Sequence, residues 1–297
     1  MGQQKIHINR KNFSNAKVLL AEFDPERRKC YEGFLAQIGF KNILSTNKLK
    51  DVEQAIAGGN VDLLVCDTSM EEGGVINLIR AMRLGMLNND LFPLVISMIG
   101  EPTQDLVQKV INSGSDNILV KPIVFESFCE RIHQLATRRE AFVVTSDYIG
   151  PDRRQKRRAG AMEVPKTQVP NPLHNKVTGF YSEAAYDACV SRTVNILNKL
   201  RIERQCYQIG YLVERIHPEG TQVVDHGKLP MEWRRLVFTA RDLAKRVKGS
   251  PYAHVNGMAS TLVSFVKEMD EAGSLTTTDV KLLSHLSQGI SRGLSLN

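Results

Sequence analysis

The sequence predicts two folded parts, a doubly wound α/β domain built on a five-stranded parallel sheet and an all-α four-helix bundle. Three observations predict them. Short apolar runs alternate with amphipathic helical patterns over the first part of the chain. After Tyr181 the strand signal stops while helical periodicity continues. The 297 residues also exceed the roughly 100–200 of a single domain. The expected divisions are a tail over 1–15, the α/β domain over 16–140, a basic linker over 141–180 and the bundle over 181–297.

Five runs read as strands: Val18 to Ala21, Asn42 to Leu44, Asp62 to Cys66, Leu94 to Met98 and Asn117 to Val120. Their spacing suits right-handed parallel crossovers through intervening helices. The helix after the last strand places Phe125, Phe128, Ile132 and Leu135 on one stripe, which must face a core. The segment that follows gathers prolines and glycines around Arg153, Arg154, Lys156, Arg157 and Arg158. Like charges beside Pro and Gly bury too little apolar surface to fold alone, so the segment is expected to be an extended linker, with docking as an ordered strap as the alternative.

Four helices are expected beyond it. The first runs from about Ser182 to Ile216 and ends with Ile209, Leu212, Val213 and Ile216 on one face. The second starts after Pro230, which suits a first helical position, and buries Leu236, Ala240, Leu243 and Val247. Gly249-Ser250-Pro251 separates it from a third helix with Val255, Met258, Leu262, Phe265 and Met269. Thr276 to Asp279 cap a fourth with Leu283, Leu286, Ile290 and Leu294. Trp233 reads as a packing anchor.

The net charge of +7 is unevenly placed. Residues 1–145 hold 17 basic and 17 acidic side chains, 146–180 hold 7 and 3, and 181–297 hold 15 and 12. A neutral first domain weakens a groove-sized nucleic-acid footprint. No run is long and apolar enough for a membrane span, and the N-terminal residues lack a signal-peptide core, so a cytoplasmic protein without membrane insertion is expected. Five scattered cysteines fit reduced thiols rather than a disulfide framework. None of the seven histidines shows an i, i+4 partner or a cysteine at metal-ligand spacing in this reading, and no metal cluster is expected from them.

In such a sheet, ligands bind at the carboxyl ends of the strands. Three ends carry charge: Glu22-Phe23-Asp24 after the first strand, Asp67 after the third and Lys121-Pro122 after the fifth. Carboxylates converging with a lysine can hold Mg²⁺, offer a carboxylate nucleophile to a phosphoryl group and neutralise its charge. With the Asp67 to Met70 and Asn112 to Asp116 stretches, this order and spacing resembles the receiver domain of bacterial two-component response regulators, a flavodoxin-like fold, over residues 16–138.

The resemblance implies Asp67 as phosphoacceptor, Glu22 and Asp67 as ligands of a weakly held Mg²⁺, Lys121 as the phosphate-binding lysine, and a cis bond before Pro122. It also implies a sensor histidine kinase, a phosphotransfer protein or another receiver as partner. The sequence departs from it at three points. Phe23 stands where receivers carry a second acid, with Asp24 starting the turn instead. Met98 stands where they carry a hydroxyl, with Ser97 facing the opposite side of the strand. Glu71 replaces a proline in a loop one residue short. The alternative roles are an acid left from an ancestral site for Asp67 and a salt bridge to Asp67 or Glu22 for Lys121.

Ala240 to Ser250 resembles the core motif of histidine phosphotransfer domains, with Val247-Lys248-Gly249-Ser250 matching its last four positions and Lys245 standing in place of the histidine. A protonated ammonium has no lone pair for a phosphoryl group, so transfer through Lys245 is not expected. Arg241, Lys245 and Lys248 instead form an exposed basic stripe that could dock a receiver's acidic surface, against the alternative of an ordinary solvated face. The expected function is thus two-component signalling by binding, not enzymatic turnover, with homo-oligomer formation left open. The runner-up is a nucleic-acid-associating regulator that uses the basic linker; no recognition motif supports it.

Overall fold

The computed structural model describes residues 13–88, 90–153, 164–179, 182–216, 231–272 and 275–295. Strands β1 (Lys17–Ala21), β2 (Asn42–Thr46), β3 (Leu63–Asp67), β4 (Leu94–Ile99) and β5 (Asn117–Val120) form one parallel sheet in the order β2-β1-β3-β4-β5. Helices α1 (Pro25–Ile38), α2 (Leu49–Ala57), α3 (Gly74–Arg83), α4 (Gln104–Ser113) and α5 (Phe125–Thr137) connect and follow them. The predicted α/β class holds, with strand ends shifted by a residue or two.

Alternation along the strands builds two cores. Val18, Leu20, Leu63, Val65, Leu94 and Ile96 pack with Tyr31, Leu35, Phe128, Ile132 and Leu135, so this face is covered by α1 and α5. Leu19, Ala21, Leu64, Cys66 and Val95 pack with Val52, Ile56, Val75, Ile79 and Met82, so the other is covered by α2 and α3. The same alternation places Met98 with the first core and turns Ser97 away from it, where its hydroxyl lies 2.7 Å from that of Ser115.

Over 141–180 the described residues are folded elements, which corrects the extended linker and matches the alternative of an ordered strap. Strands β6 (Phe142–Val144), β7 (Ile149–Pro151) and β8 (Lys166–Thr167) make a small antiparallel sheet in the order β7-β6-β8, and α6 (Pro172–Val177) follows. Of the basic cluster, Arg153 is described and Arg154 to Arg158 lie outside the described residues.

What ties this strap down is a buried charge cluster that sequence periodicity did not reveal. Asp116 accepts from Arg83 Nη2 at 2.7 Å and from Arg139 Nε at 2.9 Å, all three being almost fully buried. Arg83 also donates to the carbonyls of Gly114, Leu91 and Pro93, and Arg139 to those of Phe92, Pro93 and Pro170. The Phe142 ring receives both guanidinium groups, 5.2 and 4.8 Å from its centre. Arg153 donates to the Ser115 carbonyl at 2.6 Å. Two glycines allow the approach: Gly114 has φ +93, and a Cβ on Gly150 would fall 2.9 Å from the Gly114 Cα.

Two compact units result, one from residues up to 144 and 148–195, the other from 145–147 and 196–297. Apart from 145–147, the second unit begins within the long helix α7 (Glu183–Ile216) rather than at residue 181. Its core joins the later part of α7 to α8 (Met231–Val247), α9 (Asn256–Ala272) and α10 (Thr277–Ser295), through Ile209, Leu212, Leu236, Leu243, Leu262 and Ile290 among others. Trp233 is fully buried in it, as expected; Pro230 and the turn before it lie outside the described residues. Among the described residues no helix is long and apolar enough to cross a membrane.

Candidate functional site

The parallel register brings the three charged strand ends to one edge, since Ala21 lies beside Cys66 and Asp67 beside Met98. Lys121 Nζ stands 2.7 Å from Glu22 Oε2 and 2.8 Å from Asp67 Oδ2. Glu22 is fully buried and Asp67 nearly so. One ammonium thus bridges two carboxylates, joining both partners that sequence reasoning had offered Lys121 as alternatives. The bond before Pro122 is cis.

The remaining valences are filled by the chain itself. Asp67 accepts from Ser69 N at 3.0 Å and from the Ser69 hydroxyl at 2.8 Å. Burial pushes its pKa upward, but Lys121 and the two Ser69 donors outweigh that and hold it below the ordinary carboxylate value. Glu22 Oε1 accepts from Asp24 N at 3.1 Å, while Arg28 donates to the Glu22 carbonyl. Thr68 turns its hydroxyl onto the Met98 carbonyl.

The departures predicted from sequence have visible consequences. Phe23 is 68% exposed and offers the pocket no ligand. Asp24 caps α1 by accepting from Arg27 N at 2.9 Å, as its place in the turn suggested. Met98 is buried in the core, so its position supplies no hydroxyl. The residues present do not fit a magnesium site: both carboxylates are spent on an ammonium and on backbone or hydroxyl donors, and the exposed Phe23 adds no second acid beside Glu22.

The short loop after β3 carries backbone strain. Glu71 and Glu72 adopt φ of +44 and +54, a left-handed conformation that costs a side-chain-bearing residue about 1–2 kcal/mol. Glu71 is held by its side chain accepting from Leu49 N at 3.1 Å, whereas no described residue bonds the Glu72 side chain. Glu72→Gly should therefore stabilise the first unit by about 0.5–1 kcal/mol, strain relief exceeding the extra unfolded-state freedom of glycine. Urea unfolding checks this; a destabilised variant would show that the Glu72 side chain supports the loop rather than straining it.

Outside this pocket the histidine reading needs correction. His133 does have an i, i+4 partner, since Cys129 Sγ lies 3.6 Å from its Nδ1 on α5. Arg241, Lys245 and Lys248 are all exposed on or just beyond α8.

No known family's sequence model matches the chain, and no curated protein matches it. Solved structures similar to it include a response regulator from Thermotoga maritima, 18% identical with a TM-score of 0.35 over 40% of this chain and 95% of that one. Another is HP1043, an orphan response regulator of H. pylori, 20% identical with a TM-score of 0.35 over 40% of this chain and 94% of that one. Full-length FixJ from B. japonicum is 12% identical with a TM-score of 0.37 over 94% of this chain and 98% of that one. The fold assignment rests on the strand order and register of the chain itself.

Proposed function

We propose that this chain is a signalling protein of the two-component class that works by binding, its first unit a receiver-type scaffold and its second a helical docking module. The carrying observation is Lys121 bridging Glu22 and Asp67. Asp67 keeps the phosphoacceptor's place but serves as an anchor of an internal ion triad. The bundle, similar in motif to a phosphotransfer domain without its histidine, grips an acidic protein partner through Arg241, Lys245 and Lys248. Sensor kinases, phosphotransfer proteins and other receivers are the partner classes this reading favours.

The test is incubation with a small phosphodonor and Mg²⁺, read by intact mass with Asp67→Asn as control. The expected result is no added phosphoryl group, because the pocket lacks both a metal-ligand set and the hydroxyl that Met98 replaces. Titration calorimetry with Mg²⁺ should likewise show no binding in the wild type and a weak site in Phe23→Asp, which restores a hard oxygen ligand. One phosphoryl group on the wild type, absent from Asp67→Asn, would overturn the binding-only reading in favour of a phosphorylated switch.

A further inference from the structure

Helix α8 divides cleanly into two faces. At about 100° per residue, Trp233, Leu236, Ala240, Leu243 and Val247 share an arc of about 80°, and all are fully buried. Opposite them Arg234, Phe238, Arg241, Lys245 and Lys248 share another arc of about 80°, and all are exposed, Phe238 by 46%.

The four cations of this stripe have no counter-charge among the described residues. The acids of the helix are engaged elsewhere: Glu232 lies 3.6 Å from Arg215, and Asp242 accepts from Arg201 and Arg246, each at 2.9 Å. An aromatic ring among unpaired cations calls for an acidic surface with an apolar socket. A membrane is a poor match, because the apolar face of α8 is consumed by the core. Nucleic acid would compete for the same cations through its phosphates; what favours a protein seat is the complementary surface that this chain itself carries.

The first unit carries a surface of the required kind. An open cavity of about 980 Å³ runs along α5, with Phe125, Leu135 and Pro151 in its lining and Glu126, Glu130 and Glu140 around them. Arg138 lies 3.8 Å from Glu140, and Arg153 is engaged with Ser115. Glu126 and Glu130, four residues apart on α5, have no cation partner among the described residues.

We propose that two copies of this chain associate, the α8 stripe of each seated in the α5 cavity of the other. Phe238 enters the apolar lining, and Lys245 and Lys248 face Glu126 and Glu130. Reciprocal use of both surfaces closes a two-fold dimer and leaves neither face free for open-ended growth. The inference rests on the stripe being a docking surface and names a second copy as its occupant.

Sedimentation velocity of the full chain tests it without any other partner. Wild type should dimerise at low salt and weaken at least tenfold as salt rises, since exposed charges are screened over about 8 Å at physiological ionic strength. Lys245→Glu/Lys248→Glu and Glu126→Lys/Glu130→Lys should each abolish self-association, with helicity unchanged by circular dichroism. Mixing the two variants should restore it, because the reversed surfaces match each other. Phe238→Ala should weaken it at every salt concentration. A wild type that stays monomeric at low salt, or charge reversals that leave self-association unchanged, would overturn the proposal. Loss in both variants without rescue on mixing would overturn the α5 seat while leaving the stripe as a docking surface for another acidic partner.

Discussion

Asp116→Ala should destabilise the first unit by about 3–5 kcal/mol, the range for removing one partner from a buried ion pair. The carboxylate neutralises two guanidinium groups at once, and Arg83, Asp116 and Arg139 are at most 8% exposed. Burial pushes the Arg83 pKa down to about 10, with the Asp116 charge opposing that shift, so removing the carboxylate leaves two like charges in a low-dielectric interior. The loss is not confined to electrostatics. Both guanidinium groups hold the carbonyls around Phe92 and Pro93, and Arg139 also holds Pro170, so the strap loosens with the cluster. Urea unfolding followed in the first transition should show the loss, and limited proteolysis should cut near β6 to α6 earlier than in the wild type. Asp116→Asn, which keeps an acceptor oxygen but not the charge, should lose less. A change below about 1 kcal/mol for Asp116→Ala, the size of an ordinary surface substitution, would show that water or another acid compensates the arginines.

This cluster marks where the sequence stopped being legible. The sheet was readable because β3 and β4 are apolar on both faces and α5 repeats its apolar positions regularly, patterns fixed by geometry alone. The pocket was readable because its charges terminate strands, where a doubly wound sheet exposes them. The strap was not, since its stability comes from three charged residues 23 to 56 positions apart, and composition counts each of them as solvent-loving. A faint signal existed in Arg83, which continues the buried Ile79 and Met82 side of α3. A basic residue on an apolar stripe implies a buried partner. The Glu71 and Glu72 strain was equally hidden, because only the missing residue in the loop hinted at it. The exposed face of α8 was readable from periodicity, but its lack of counter-ions depends on Asp242 being occupied by Arg201 from a different helix.

Lys121→Met should cost about 3–5 kcal/mol at neutral pH, because it leaves Glu22 and Asp67 buried without their shared cation. Its distinguishing mark is the pH dependence. In the wild type the Asp67 pKa is lowered, so its contribution is complete above the unfolded value of about 3.9 and disappears as pH falls through the lower folded value. Removing the ammonium deletes the hydrogen bond and the charge that offset burial, and it leaves the Glu22 carboxylate facing Asp67. Burial and like charge then prevail over the Ser69 donors, and the Asp67 pKa rises above its unfolded value. The sign of the linkage reverses with it. The variant is penalised most above the raised pKa and recovers as protonation neutralises the carboxyl, so its deficit against the wild type should shrink between pH 7 and pH 5. Lys121→Arg, which keeps the charge, should retain the wild-type direction of pH dependence. Urea unfolding of the three proteins at both pH values decides the matter. An equal Lys121→Met deficit at pH 7 and pH 5 would show that Lys121 contributes packing, and that the triad is not what sets the charge state of the pocket.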